Sequence, residues 1–215
     1  MRYLLMVGLI ELPLEWAVPG IADLRDRSLP RGLEPAVVAK LLACCDRRRT
    51  VGRRDYAVLL LRLRLGLRRG EVAGLRLDDI DWRGGEILVR GKGGRQDVLP
   101  LPVDVGEAIV SYLRRRSRID DRTLFLRVHA PAGPLQPSGV LSIVRAACQR
   151  AGVPRVGAHQ LRHTSATGML RGGASLAEIG QVLRHRDQRT TARYAKVDRA
   201  TLRRLARPWP EGGAA

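Results

Sequence analysis

Aromatic side chains are scarce in this 215-residue chain, with one Phe, three Trp and four Tyr making up 4% of it. Leu, Val, Ile and Ala must therefore fill its core. Cysteine is scarcer still. Cys44, Cys45 and Cys148 form no C-x-x-C pair and two of them are adjacent, which argues against a disulfide frame or a zinc set; they read as small core residues in a reducing cytosol. No apolar run approaches the ~20 residues that span a bilayer. The opening "MRYLLMVGLIELPLEW" is apolar but carries Glu11 and Glu15, has one basic residue ahead of it and lacks a small-residue cleavage pattern, which argues against a signal peptide. These features point to the cytoplasm. Also missing are a glycine-rich phosphate loop and the clustered carboxylates of a two-metal site, along with internal repeats and low-complexity tracts.

Acidic residues are the other shortage. Lys and Arg number 39 against 21 Asp and Glu, a net charge of +18, while hydrophobic residues make up 45% of the chain. A foldable chain this basic points to a polyanionic partner, with nucleic acid first. A GC-biased genome explains Arg in place of Lys but does not remove acidic residues.

The pattern along the chain predicts an α+β protein, mostly helical with a small antiparallel sheet. Residues 1–30 end in the polar, proline-bearing "DLRDRSLPRG", a linker after one short apolar helix. "LEPAVVAKLLACC" starts a helix with Pro35 in its first turn. In "RRDYAVLLLRLRLGL" the residues Tyr56, Leu59, Leu60 and Leu63 fall on one stripe of a buried helix that ends near Gly66. "GEILVRGKGGRQDVLPLP" has the signature of a hairpin, and "RTLFLR" that of a third strand. Asp104 and Glu107 are spaced as a capping box for the helix "VGEAIVSYLRRR", with Tyr112 on its apolar side. "QPSGVLSIVRAACQRAG" is a helix closed by Gly152, and another runs from about His159 to Arg171. Ser175 and Glu178 cap a further helix with Leu176, Ile179 and Leu183 as its stripe. The basic segment "RATLRRLARPWP" ends the fold, leaving 209–215 as a flexible tail.

Several residues are suited to chemistry. His159 and Arg162 lie three apart on a helix and share a face, with His163 close by. An imidazole beside a guanidinium makes an oxyanion site, one group moving a proton and the other binding phosphate oxygens bidentately. The same pair also suits an ordinary basic surface, and a zinc reading of His159 and His163 lacks both an intervening Glu and a third ligand. Arg68 follows Gly66 at the end of the leucine-rich helix, and Lys92 sits among glycines at the hairpin tip, where a backbone approaches ligands closely but a solvated lysine is common. Tyr194 comes nine residues after His185 in "RHRDQRTTARYAKVD", outside any apolar stripe. A phenol titrating near ~10 needs nearby cations before it can attack phosphorus, and His185, Arg186, Arg189 and Arg193 supply them locally.

Taken together and in order, G-x-R-x-x-E (Gly66 to Glu71), a hairpin Lys (Lys92), H-x-x-R-H-T (His159 to Thr164) and the His185–Tyr194 pair resemble the tyrosine recombinase, or phage integrase, family. The likeness runs from about Gly32 to Leu205 and is most specific over residues 159–198. It implies a catalytic domain over 31–208 with the DNA breaking–rejoining fold, and makes residues 1–30 the remnant of a DNA-clamping core-binding domain. By this resemblance Tyr194 is the nucleophile that forms a 3′-phosphotyrosyl link. Arg68 and Arg162 clamp the non-bridging oxygens, Lys92 protonates the leaving 5′-oxygen, His159 handles the tyrosine proton, and His185 bonds a phosphate oxygen. Arg95, His163, Arg186 and Arg189 are the expected DNA contacts. The family works on double-stranded DNA, as monomers that assemble into a homo-tetramer on two sites, without ATP, metal or other cofactor and away from membranes. Two positions depart from the pattern: Leu65 stands where Thr is usual, and Arg184 where Gly is usual, neither a bearer of chemistry in the family. The alternatives are a non-catalytic DNA-binding fragment, which the missing clamp would favour, and a type IB topoisomerase, which shares a similar site.

Overall fold

The structure is a computed structural model that describes residues 32–184 apart from 92, 118, 119, 129 and 132. The helix expected in residues 1–30, the segment "RATLRRLARPWP" and the tail 209–215 lie outside the described residues.

The first described helix, α1 (Pro35–Ala43), starts with proline in its first turn, where the missing N–H costs nothing. It leads into α2 (Thr50–Arg64), the element around which the others pack. One stripe was expected on α2, but the helix is buried nearly all round. Ala57, Val58, Leu60 and Leu61 belong to one apolar cluster, whereas Leu59 and Leu63 belong to a second. Tyr56 is only partly buried and carries the Arg47 guanidinium 4.7 Å from its ring centroid. A helix wedged between two clusters loses its polar face, so a charge left on it needs partners close by. Arg54 bonds to Asp55 at 2.7 Å and to the Leu126 carbonyl at 3.0 Å.

After α2 come α3 (Arg69–Ala73), a 3-10 turn (Leu77–Asp79) and the strands β1 (Ile80–Asp81), β2 (Glu86–Arg90) and β3 (Gln96–Pro100). The strands form one antiparallel sheet in the order β1-β2-β3, with Ile87 opposite Leu99 and Arg90 opposite Gln96. The predicted hairpin is thus present, but the third strand is Ile80–Asp81 and not "RTLFLR". In that segment Leu124, Phe125 and Leu126 are buried in succession, without the alternation a half-solvated strand requires. They thread the core instead, making only isolated bridges (Arg76 to Thr123, Leu126 to Pro134).

Helix α4 (Val103–Leu113) has Pro102 at its N-cap, so Asp104 is not its cap. The Asp104 carboxylate instead accepts a bond from Arg64 Nε at 2.7 Å. Tyr112 is buried on the apolar side as expected, stacked on Phe125 at 5.5 Å, and its hydroxyl accepts the Leu126 N–H. Then follow α5 (Pro137–Arg150), α6 (Ala158–Arg171) and α7 (Leu176–Val182). Gly152 ends α5 in the left-handed region at φ 62°, and Ser175 and Glu178 make the predicted capping box of α7. Ile179 and Leu183 form a small third cluster with Ala166. The three cysteines are free thiols, two of them buried and one partly so. Among the described residues no helix is long and apolar enough to cross a membrane.

Two glycines test this packing in opposite directions. A Cβ on Gly52, in the first turns of α2, would lie 2.0 Å from the Asp46 carbonyl oxygen, whereas one on Gly168 in α6 meets nothing within 4 Å. Gly52→Ala will destabilise the fold by about 1–3 kcal/mol or more, as overpacking does. Gly168→Ala will stabilise it by about 0.5–1 kcal/mol. The two shifts in urea midpoint check this.

Candidate active site

The end of α2 opens the site. Leu67 N–H bonds back to the Leu61 carbonyl, and between them Gly66 turns left-handed at φ 59°. A side chain there is doubly unwelcome, since a Cβ would also come within 2.4 Å of Leu183 Cδ2. This turn delivers Arg68 to the N-cap of α3 with extended backbone and its side chain half exposed.

Arg162 reaches the same turn from α6. Its side chain is buried, 8% exposed for the residue. Nη1 donates to the Gly66 carbonyl at 2.8 Å, and Nη2 donates to the Leu183 carbonyl at the end of α7. A planar guanidinium offers donors in fixed directions, so one side chain ties α6, the α2–α3 turn and the end of α7 together. Ser165 Oγ adds a bond to the Arg64 carbonyl at 3.0 Å. Thr164 Oγ1 donates to Gln160 O and accepts Leu33 N–H, both at 2.8 Å.

The third component is Glu71. Its Oε2 accepts the Arg68 backbone N–H at 2.7 Å, its Oε1 accepts Arg68 Nη1 at 2.8 Å, and Arg184 Nη2 bonds Oε2 at 2.6 Å. Burial alone would raise the carboxyl, but Arg184 and Arg68 outweigh it and hold Glu71 below the ordinary carboxylate range. Burial pulls the Arg184 guanidinium down in turn, with Glu71 opposing it. The local sum of Arg68, Arg162 and Arg184 against Glu71 is positive, which favours an anion.

The predicted site residues fall into three groups. Arg68 and Arg162 are brought together through Gly66 and Leu183. His159 is at the exposed start of α6, one turn ahead of the buried Arg162, and His163 is half buried on the same helix. Arg95, an expected DNA contact, lies beyond the hairpin tip with its guanidinium on Asp97 at 2.8 Å, while Gly93 and Gly94 form the tip itself with φ of 80° and 75°. Lys92, His185, Arg186, Arg189 and Tyr194 lie outside the described residues. Sequence reasoning missed two partners. Glu71 entered only as the end of a spacing pattern, and Arg184 as a departure without chemistry. The signal for the latter was available, because Arg184 stands just past the α7 stripe, where glycine is the common helix terminator.

The sequence pattern of the phage integrase family matches residues 31–201. The chain belongs to that family. Among its relatives, the putative integrase/recombinase y4rA of Sinorhizobium fredii is 54% identical over 94% of this chain and 50% of its own length. The putative integrase/recombinase y4gC of the same organism is 41% identical over 85% of this chain and 97% of its own, and the tyrosine recombinase XerA of Thermococcus onnurineus is 35% identical over 83% and 62%. The chain thus spans about half the length of y4rA and nearly all of y4gC. The crystal structure of XerA recombinase superposes with a TM-score of 0.71 at 25% identity, covering 95% of this chain and 71% of that one. XerH recombinase, in a post-cleavage complex with its palindromic difH substrate, gives 0.71 at 23% identity over 93% of this chain and 59% of that one, a likeness of fold.

The shared carboxylate yields a pH prediction. A carboxyl held low in the folded state stabilises the fold above its unfolded value, about 4.3, and loses that contribution as pH falls through the folded value. Glu71→Gln will cost about 3–5 kcal/mol near neutral pH, because it leaves buried Arg184 without its counter-ion. The gap between variant and wild type will narrow as pH drops below about 4. Urea unfolding across pH 3–7 measures both (the range follows the carboxylate titration).

Proposed function

We propose that this chain cleaves and rejoins DNA through a covalent tyrosine intermediate, as a site-specific recombinase. The observation that carries the reading is the bonding of Arg162 to the carbonyl of Gly66, two residues before Arg68. It supports two guanidiniums serving one phosphate. In this scheme the Tyr194 phenol attacks the scissile phosphorus, forming the 3′-phosphotyrosyl bond as the bond to the 5′-oxygen breaks. The phenolic proton passes to His159, and Lys92 gives a proton to the departing 5′-oxygen. Arg68 and Arg162 take the charge that grows on the non-bridging oxygens, and His185 bonds one of them. The ester energy is kept in the phosphotyrosine, so a 5′-hydroxyl attacking it reverses the step with no nucleotide hydrolysed.

Charge agrees with this reading. The acidic residues Asp55, Asp78, Asp79, Asp97 and Asp104 are each taken by an arginine, so the surplus of +18 is left for a polyanion. Arg95, His163, Arg186 and Arg189 are the proposed DNA contacts. Assembly would be a homo-tetramer on two duplex sites, drawn from monomers free in solution, in the cytoplasm. Phosphate contacts carry no base sequence, so the target site is a matter for selection experiments.

A nicked duplex that traps the cleaved strand tests the reading. The wild-type chain should give an SDS-resistant protein–DNA adduct, and Tyr194→Phe should give none. Arg68→Ala, at a half-exposed position, should slow adduct formation by about 10²–10³-fold, the usual loss for one pre-aimed donor. If wild type binds DNA with a log–log salt slope of about −0.9 per phosphate contact yet yields no adduct, also when joined to a complete upstream core-binding domain, then the chain is a DNA-binding module and not an enzyme.

A further inference from the structure

Arg184 is the one non-glycine residue with a positive φ among the described residues, at 54°. Left-handed backbone crowds any Cβ, and glycine would relieve it. The arginine there is also buried, at 4% exposure, and its Nε has no hydrogen-bond partner. Strained backbone, a desolvated charge and an unmet donor all weigh against arginine at this position. Its contacts are the Val182 carbonyl, 2.7 Å from Nη1, and Glu71 Oε2. Asp97 on β3 also attracts it; one oxygen of that carboxylate, Oδ1, is bonded by Arg95, and the other, Oδ2, is buried without a hydrogen bond.

The effect falls on Arg68. A carboxylate and a guanidinium left to themselves close into a two-point fork. Here Oε2 is taken by Arg184 and by the Arg68 backbone N–H, so the Arg68 side chain holds Glu71 by one bond only, Nη1 to Oε1, and remains half exposed. We propose that Arg184 is a positioning residue for the proposed phosphate chemistry: by occupying Glu71 Oε2 it prevents Glu71 from chelating Arg68, and so keeps that guanidinium available to a DNA phosphate. Arg184 itself, bonded to Glu71 and the Val182 carbonyl, is not among the proposed DNA contacts. The inference rests on the strand-transfer reading for its consequence, but the state of Arg68 can be read without catalysis.

The test compares wild type, Arg184→Gly, Arg184→Lys and the double variant Arg184→Gly/Glu71→Gln. Two quantities are read: the rate of adduct formation at saturating nicked DNA, and the rate at which phenylglyoxal modifies Arg68 in the free protein, followed by peptide mass spectrometry. Arg184→Gly should slow both at least several-fold while DNA affinity changes little. Arg184→Lys, with a cation still on Oε2, should recover most of both rates. The double variant should also recover, because a neutral amide holds Arg68 weakly. Unchanged Arg68 reactivity in Arg184→Gly overturns the proposal. So does a double variant slower than the single one, which would mark Arg184 as a packing residue. Should Arg184→Gly not fold, Arg184→Gln takes its place, neutral and of similar stem, with the same expected losses. If wild type forms no adduct at all, the strand-transfer reading fails while phenylglyoxal still decides how Arg68 is held.

Discussion

The Arg162 guanidinium, buried between the carbonyls of Gly66 and Leu183, is the contact on which the site depends. Those carbonyls belong to chain ends that a helix leaves unpaired, one after α2 and one after α7. A single side chain from α6 satisfies both. Because backbone carbonyls move only with their helices, the guanidinium is placed by the packing of three elements and not by its own flexible stem. Gly66 completes the arrangement, since the left-handed turn and the close approach of Leu183 leave no room for a Cβ.

A second set of charges is built on the first. Leu183 is followed directly by Arg184, so the carbonyl that Arg162 fixes also sets where the next side chain enters the interior. That side chain meets Glu71, which starts from the opposite end of the site, on α3. Glu71 holds Arg68 through both its backbone and its guanidinium. Arg68 and Arg162, far apart in sequence, are thereby referred to one frame. The frame is polar: Arg162, Glu71 and Arg184 are enclosed, where hydrogen bonds to charged groups are stronger than in water, while Arg68 stays half exposed.

Much of this was legible beforehand where chemistry is local. The proline opening α1, the glycine ending α5, the Ser175–Glu178 box and the glycine-flanked hairpin each arise from backbone needs of a few adjacent residues. Global surroundings decided the misreadings. Tyr56 was grouped with the α2 stripe, but α2 lies between two clusters and has no single apolar face. "RTLFLR" has strand-forming residues, yet its Leu124, Phe125 and Leu126 are buried in succession and it joins the sheet nowhere. Asp104 has the spacing of a cap and serves instead as a counter-ion for Arg64, a residue 40 positions away.

By itself the sequence determined the family, through the order of Arg68, Lys92, His159, Arg162, His185 and Tyr194, and the helical character with its one hairpin, because spacing and turn chemistry are written in neighbouring residues. Only the tertiary structure decided how the arginines are held. Whether a guanidinium ends on a carbonyl, a carboxylate or solvent depends on which helix ends the core brings together, and a chain with 39 Lys and Arg against 21 acidic residues offers too many possible pairings for position along the chain to choose among them. Arg184 is the clearest instance. In the sequence it is only a departure from the family's usual glycine, and in the folded protein it is a buried cation on the carboxylate that also holds Arg68.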